Sequence, residues 1–397
     1  MLTSGNTPLS PEAKLLLSAL RKALNWPHQQ NIDHQLNQLN QLNSVETYDS
    51  GLLLNLAIRN GVEALLEAGW QPGNLPEWRV NLRAFLNRKR LQNLSLLGEF
   101  LQLQHRCQKV GIPILGFKGP ILAHQLFGDV TKRSYCDLDI LVEEENLDRL
   151  AELLQTSGYQ ARQIRGFIEN GDRYFIDPNR GYCIDLHSAL TPSYYPIPID
   201  YTKLWKEAIS INLQGNSVLA FTPETLLVLL CIHGTKDNWQ QLKWICDIAQ
   251  LLTSFPKLDW NYIHSLTNDF RTRQALVLSL NLCEEVFGSS DLIPKVPEFR
   301  SSLIQINLIR HITNRFFSHS SQVPNFLENL LFCWTRRHVY PFRRWLEEKI
   351  LPNEHDKSWL REMKFLNQKP VFWILETLSL LIRPIRLIIK SSCKLLI

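Results

Sequence analysis

Three aspartates and one lysine carry most of the chemistry this chain can offer. In the run Cys-Asp-Leu-Asp-Ile-Leu-Val, Asp137 and Asp139 stand two positions apart. Strand side chains alternate faces, so in an extended segment these two carboxylates point the same way, about 6.5–7 Å apart along the backbone. Further on, Ile184-Asp185-Leu186-His187 places apolar residues on one face and Asp185 and His187 on the other. Magnesium prefers octahedral oxygen coordination and is held by a few carboxylates together with substrate phosphates. Two such ions about 3.5–4 Å apart can activate an attacking hydroxyl and stabilise the leaving oxygens of an in-line displacement. If the two strands lie side by side, Asp137, Asp139 and Asp185 supply the anionic basin that such a site needs. Asp-x-Asp alone also describes a solvated strand edge, so its weight comes from what surrounds it.

Upstream, residues 112–117 form a short apolar strand candidate that runs into Lys118-Gly119-Pro120. Proline suits the first turn of a helix, and a glycine before it lets the backbone approach a ligand closely. A two-turn helix over 121–127, closed by Gly128, would direct unpaired N–H groups and partial positive charge at an anion, with Lys118 adding a full charge. A triphosphate suits that corner. Arg133 and Ser134 stand just before the acidic strand and could reach phosphate; a structural salt bridge is the competing reading for Arg133.

These groups need elements to hold them. A helix over 143–157 stopped by Gly158 should follow the acidic strand, and 173–176 and 182–186 should pair across the Asp177-Pro178-Asn179-Arg180-Gly181 turn. Residues 10–110 read as helices, interrupted by a Gln- and Asn-rich stretch over 29–44 that fits neither a heptad seam nor a strand. Arg79, Arg83, Arg88, Lys89 and Arg90 form a basic cluster, read as a solvated helix face rather than an RNA-contacting surface. From Thr222-Pro223-Glu224 the chain is helical again, to about His233. His233 and Lys236 are placed in a connecting turn where either could contact base or phosphate, with a capping or core role as the plainer alternative for the histidine. Asn238 is expected to cap the next helix, and Lys243 and Asp247, four apart, to pair on its surface. In the tail, residues 371–397, basic residues at helical spacing share a segment with many Leu and Ile, so a basic amphipathic helix either packs on the helical domain or lies on a membrane surface.

At 397 residues the chain is long enough for two or three domains, and a hydrophobic fraction of 45% with 20% charged residues is that of a folded protein. A net charge of +5 is weak evidence for a nucleic-acid partner, and no DNA partner is expected. Eight cysteines, Cys107, Cys136, Cys183, Cys231, Cys246, Cys283, Cys333 and Cys393, include no C-x-x-C pair. They read as reduced, buried thiols of a cytoplasmic protein, and the first residues lack the features of a secretory signal.

Taken together, the run Leu115 to Gly119, the segment Arg133 to Val142, the Ser157-Gly158-Tyr159 stop and Ile184-Asp185-Leu186-His187 resemble the polymerase-beta-type nucleotidyltransferase superfamily, and more narrowly its bacterial branch of nucleotidyltransferase family proteins. The resemblance extends into His233, Lys236, Trp239, Leu242, Lys243, Trp244 and Asp247 and covers roughly residues 90–290. It implies a minimal mixed sheet flanked by helices; with the helical readings on either side, the chain is expected to be α+β, with a helical N-terminal region (1–108), a catalytic core (109–215), a helical C-terminal domain (216–370) and the basic helix (371–397). It further implies magnesium-dependent transfer of a nucleoside monophosphate from an NTP to a hydroxyl acceptor, with pyrophosphate released. Under that resemblance Asp137, Asp139 and Asp185 ligate two Mg2+ ions and perform the catalysis. Lys118, Gly119, Arg133, Ser134, His233 and Lys236 contact the nucleotide. The phosphate turn departs from the superfamily's usual Gly-Ser or Gly-Gly, and Lys118 is the candidate substitute for the missing serine. The acceptor could be a small molecule, a peptide, a protein or a tRNA. The alternative is a catalytically silent nucleotide- or partner-binding protein of the same fold, peripheral at the inner membrane face.

Overall fold

The acidic strand and its neighbour do lie side by side. In the computed structural model, which describes residues 9–27, 48–70, 77–162, 173–192, 195–296, 299–318 and 326–336, seven strands form one mixed sheet. They are β1 (Ile114–Gly116), β2 (Asp137–Val142), β3 (Gln160–Arg162), β4 (Arg173–Ile176), β5 (Cys183–His187), β6 (Ile209–Leu213) and β7 (Asn216–Ala220), in the order β3-β4-β5-β2-β1-β7-β6. β2 runs parallel to β5 and antiparallel to β1, and β1 runs parallel to β7. The β4–β5 hairpin forms where the turn chemistry places it, with Asp177 Oδ1 accepting from the backbone N–H groups of Asn179 and Arg180. The fold class is thus α+β, as the sequence leads one to expect.

Alternation along the strands sorts the sheet into two faces. Leu138, Ile140, Val142, Ile184, Leu186, Phe175 and Val218 pack into one apolar core with the C-terminal half of the long helix Glu77–Lys109 and the helix Leu147–Thr156. The opposite face, which carries Leu115 and Leu141, meets a larger core built by helices from both ends of the chain. In that core the helix Pro11–Ala23 joins Arg273–Phe287: Arg21 donates to the carbonyls of Phe287 (3.0 Å) and Val286 (3.1 Å), and Trp26 donates to Gly288 (3.2 Å). The aspartates belong to this second face, between the sheet and the helices.

Several expectations are corrected by packing. The helix starting at Thr222 runs over Pro223–Lys236, so His233 and Lys236 occupy its last turn rather than a connecting turn. Asn238 caps nothing: it and Trp239 both take left-handed backbone (φ 58° and 49°), and the next helix begins only at Lys243. Trp239 is fully buried there because Gly234 leaves room for its ring; a Cβ on Gly234 would meet that ring at 2.3 Å. Arg315 and Arg336 satisfy the carbonyls freed at this turn, donating to Trp239 (2.9 Å) and Lys236 (2.9 Å) respectively. The basic cluster is partly internal, since Arg79 is buried and Arg79, Arg83 and Arg90 surround Glu67. Five cysteines are buried as expected, but Cys183 is half-buried and Cys136, beside Asp137, is exposed; all seven described cysteines are free. Among the described residues no helix is long and apolar enough to cross a membrane. The polar stretch 29–44, the tail 371–397 and Cys393 lie outside the described residues.

Candidate active site

β2 and β5 align so that Asp139 is the register partner of Asp185 and Leu141 that of His187. Side chains two apart on a strand share a face, so Asp137, Asp139, Asp185 and His187 all project from the face opposite the smaller core. Asp139 is buried, whereas Asp185 keeps about a third of its side chain exposed, at 35%. One ligand atom each from Asp139, Asp185 and His187 come within 4.8 Å of one another. His187 Nε2 lies 3.3 Å from Asp185 and 3.7 Å from Asp139. Two carboxylates and an imidazole at this spacing form a donor set for a divalent cation. Asp137, on the same face two residues earlier, pairs in register with Cys183.

Lys118 closes the other side. It is the N-cap of the helix Gly119–Phe127, and its ammonium sits 3.2 Å from Asp139 Oδ1 and 5.1 Å from the centre of the Phe117 ring. Phe117 in turn meets the His187 imidazole edge-on at 5.5 Å, so an aromatic residue sets both the lysine and the histidine. Gly119 is required for close approach. Its φ of 54° is left-handed, and a Cβ there would come 3.1 Å from the carbonyl oxygen of Asp137. The phosphate turn therefore lies directly against the start of the acidic strand.

The electrostatics of the cluster are those of an anionic basin with the Lys118 ammonium set against Asp139. Burial drives the Asp137 carboxyl above its ordinary range, and the neighbouring charges of Asp139 and Asp185 push the same way. For Asp139, burial is outweighed by Lys118 and His187, which hold the carboxylate ionised well below the usual range. Burial also works against the Lys118 ammonium, yet Asp139, Asp237 and Asp137 overcome it and raise its pKa. The crowding at Asp137 is the observation that a bound cation would relieve, so the residues fit the metal that the fold implies.

The last turn of Pro223–Lys236 brings a second charged group of residues within electrostatic reach of Lys118. His233 Nδ1 lies 2.9 Å from Asp237, Lys236 lies 3.4 Å from the same carboxylate, and Trp244 meets the His233 ring edge-on at 4.9 Å. Burial, with the charge of Lys118 assisting, lowers the His233 pKa to about 4, so the imidazole is neutral at physiological pH and Nδ1–H donates to Asp237. Asp237 was not singled out from sequence, although its place four residues after His233 on a helix is a legible i,i+4 signal.

Arg133 and Ser134 are both engaged by protein partners. Arg133 is buried and its Nε and Nη2 donate to the two carboxylate oxygens of Asp247 at 2.8 and 3.0 Å. Ser134 Oγ donates to Glu63 Oε1 at 2.6 Å. Both contacts tie the segment entering β2 to flanking helices. Asp247 is also buried and belongs to Arg133, not to a surface pair with Lys243. The two partners stand far apart in the chain, so no sequence spacing could have joined them.

A mixed sheet whose central parallel strands bring aspartates together, beside a glycine turn that opens a helix, defines the nucleotidyltransferase fold. The chain matches the family described as uncharacterised nucleotidyltransferase over residues 46–288. It belongs to that family. No curated protein matches it significantly. Among solved structures it is similar to the antibiotic-resistance factor ANT(2'')-Ia in solution, with 14% identity, a TM-score of 0.33, and 48% of this chain and 98% of that one covered. It is similar to ANT(2'')-Ia in complex with adenylyl-2''-tobramycin at 14% identity and a TM-score of 0.33, covering 45% of this chain and 98% of that one. It is also similar to an antigenic nucleotidyltransferase-like protein from Paracoccidioides brasiliensis, at 16% identity and a TM-score of 0.29, covering 50% of this chain and 97% of that one. Likeness at this level carries no argument about substrate.

Proposed function

We propose that the protein transfers a nucleoside monophosphate from an NTP to a hydroxyl acceptor, with a divalent cation, and releases pyrophosphate. The observation that carries this reading is the register pairing of Asp139 with Asp185 on parallel strands, with His187 completing a donor set within 4.8 Å. Asp139, Asp185 and His187 would hold the ion, with Asp137 adjacent for a second one. Carboxylate oxygens favour magnesium or manganese. When bound, the cation supplies charge neutralisation on the phosphoryl oxygens.

The chain's own residues account for the rest. Lys118, at the head of the helix Gly119–Phe127, would meet the triphosphate, exchanging part of its contact with Asp139 for phosphate oxygens. Gly119 brings backbone against the acidic strand without a side chain in the way. Asp185, the more exposed carboxylate, takes the proton of the acceptor hydroxyl. The oxygen then attacks the α-phosphorus, the bond from α-phosphorus to the bridging oxygen breaks, and pyrophosphate leaves. His233 and Lys236 are proposed to border the base or phosphates, with Asp237 fixing the imidazole tautomer.

Incubation with each α-labelled NTP and Mg2+ or Mn2+ tests this, using cell extract depleted of proteins or nucleic acids as acceptor source. Transfer of label should fall by about 10²–10³-fold in Asp139→Asn and in Asp185→Asn. Label transfer that survives both substitutions, or a wild type that binds no NTP with either metal, refutes the proposal.

A further inference from the structure

Lys243 is the charged group of the cleft that the proposal above leaves unused. The helix Lys243–Ser254 turns one face towards the start of β2: Asp247, one turn on, is held by Arg133, four residues before Asp137. Residues i and i+4 share a helix face, so Lys243 projects from the same side, near enough to Asp137 for each charge to act on the other. Its position is fixed from behind. The backbone N–H of Lys243 donates to the Asn60 carbonyl (3.1 Å), and that of Leu242 to Asn60 Oδ1 (3.3 Å). A Cβ on Gly61 would come 2.8 Å from Lys243 Cδ, so the aliphatic stem lies against that backbone.

The carboxylate on that helix face is already taken. Arg133 and Lys243 are two half- or fully buried cations, and Asp247, the carboxylate between them, is engaged by both nitrogens of the Arg133 fork. Lys243 makes no ion pair among the described residues, in contrast to Lys118, which is paired with Asp139. Burial and Arg133 both weigh against its ammonium, and Asp247, Cys136 and Asp137 offset them only in part, so its pKa is lowered. A half-buried ammonium with no direct counter-ion is costly unless an anion visits it. The anion that the neighbouring aspartates and cation would bring is polyphosphate.

Resting on the nucleotidyl-transfer reading, we propose that Lys243 is a second phosphate-holding cation of the cleft, gripping the triphosphate from the Asp137 side while Lys118 grips it from the Asp139 side. A compact ammonium on a flexible stem suits a group that must hold the triphosphate and then release pyrophosphate.

The test is calorimetric titration of the full chain with Mg2+ and the α,β-methylene analogues of ATP, CTP, GTP and UTP, and with the four monophosphates. Lys243→Met keeps the stem against Gly61 and removes the charge; Lys243→Arg keeps the charge. Lys243→Met should weaken the best triphosphate analogue by about 10- to 100-fold, the loss of one charged hydrogen bond, and leave the monophosphate within about twofold. Lys243→Arg should restore most of the loss. Equal triphosphate affinity in Lys243→Met and wild type overturns the assignment, as does a parallel loss for mono- and triphosphate or a loss that Lys243→Arg does not recover. Should Lys243→Met fail to fold, Lys243→Gln and Lys243→Arg decide the same comparison. A wild type that binds triphosphate with Lys243 irrelevant sinks only this inference; a wild type that binds none sinks the transfer reading with it.

Discussion

Replacing Asp247 with alanine should unfold the protein far more readily than a surface mutation, and the structure says why. Arg133 and Asp247 side chains are 7% and 2% exposed and meet through two parallel N–H···O bonds of 2.8 and 3.0 Å. Removing one partner of such a pair leaves the other charge buried without compensation, which costs about 3–5 kcal/mol. In this protein the cost falls at the upper end, because Asp247 also separates Arg133 from Lys243, whose ammonium Arg133 disfavours. Against a total stability of about 5–15 kcal/mol, that is a large fraction. Removing both charges is a different perturbation: Arg133→Met with Asp247→Leu refills the volume with apolar side chains and should stay within about 2 kcal/mol of wild type. Urea denaturation followed by the fluorescence of the 11 tryptophans gives each change from the shift in midpoint at constant slope. The same double variant separates the two roles of Arg133, since a purely structural arginine leaves NTP affinity intact in a protein that still folds. An Asp247→Ala variant within about 1 kcal/mol of wild type, or a double variant no more stable than the worse single, would refute the reasoning.

Two further perturbations follow from the site. His233 has a folded pKa of about 4 against an ordinary 6.5, so between those values the unfolded chain takes up a proton that the folded one does not. Stability is therefore fully present above pH 6.5 and declines as pH falls towards 4, by about 3 kcal/mol in total, and that slope should vanish in His233→Gln; identical slopes in the two proteins would count against a buried neutral imidazole. Gly119→Ala forces an L side chain into left-handed backbone and drives its Cβ to 3.1 Å from the Asp137 carbonyl. The expected loss is about 1–2 kcal/mol in denaturation midpoint terms, with a proportionally larger fall in nucleotide affinity as the turn backs away from β2; an unchanged variant would mean that the turn is less tightly seated than described.

Much of the catalytic sheet was legible without coordinates because its signals are local. Period-two alternation over 137–142 and 184–187, the Asp177–Gly181 turn and the Gly128 stop each encode a strand, a hairpin or a helix end in a few adjacent residues. The shared orientation of Asp137 with Asp139, and of Asp185 with His187, follows from that alternation alone. Local signals erred where tertiary packing outranked propensity: Asn238 is a good cap by type, but Trp239 folding back over Gly234 consumes the turn and delays the next helix to Lys243.

What the chain by itself determined is the identity and facing of each carboxylate along its own strand, because a side chain's direction is set by the two peptide bonds next to it. Only the tertiary structure decided which carboxylates meet. The parallel register that sets Asp139 opposite Asp185, the buried Arg133–Asp247 pair, and the Asp237 carboxylate whose charge helps keep Lys118 protonated all join residues distant in sequence. Those contacts depend on burying apolar faces of separate elements against one another, and hydrophobic burial is non-directional: it requires that the faces meet but does not write their partners into any short stretch of sequence.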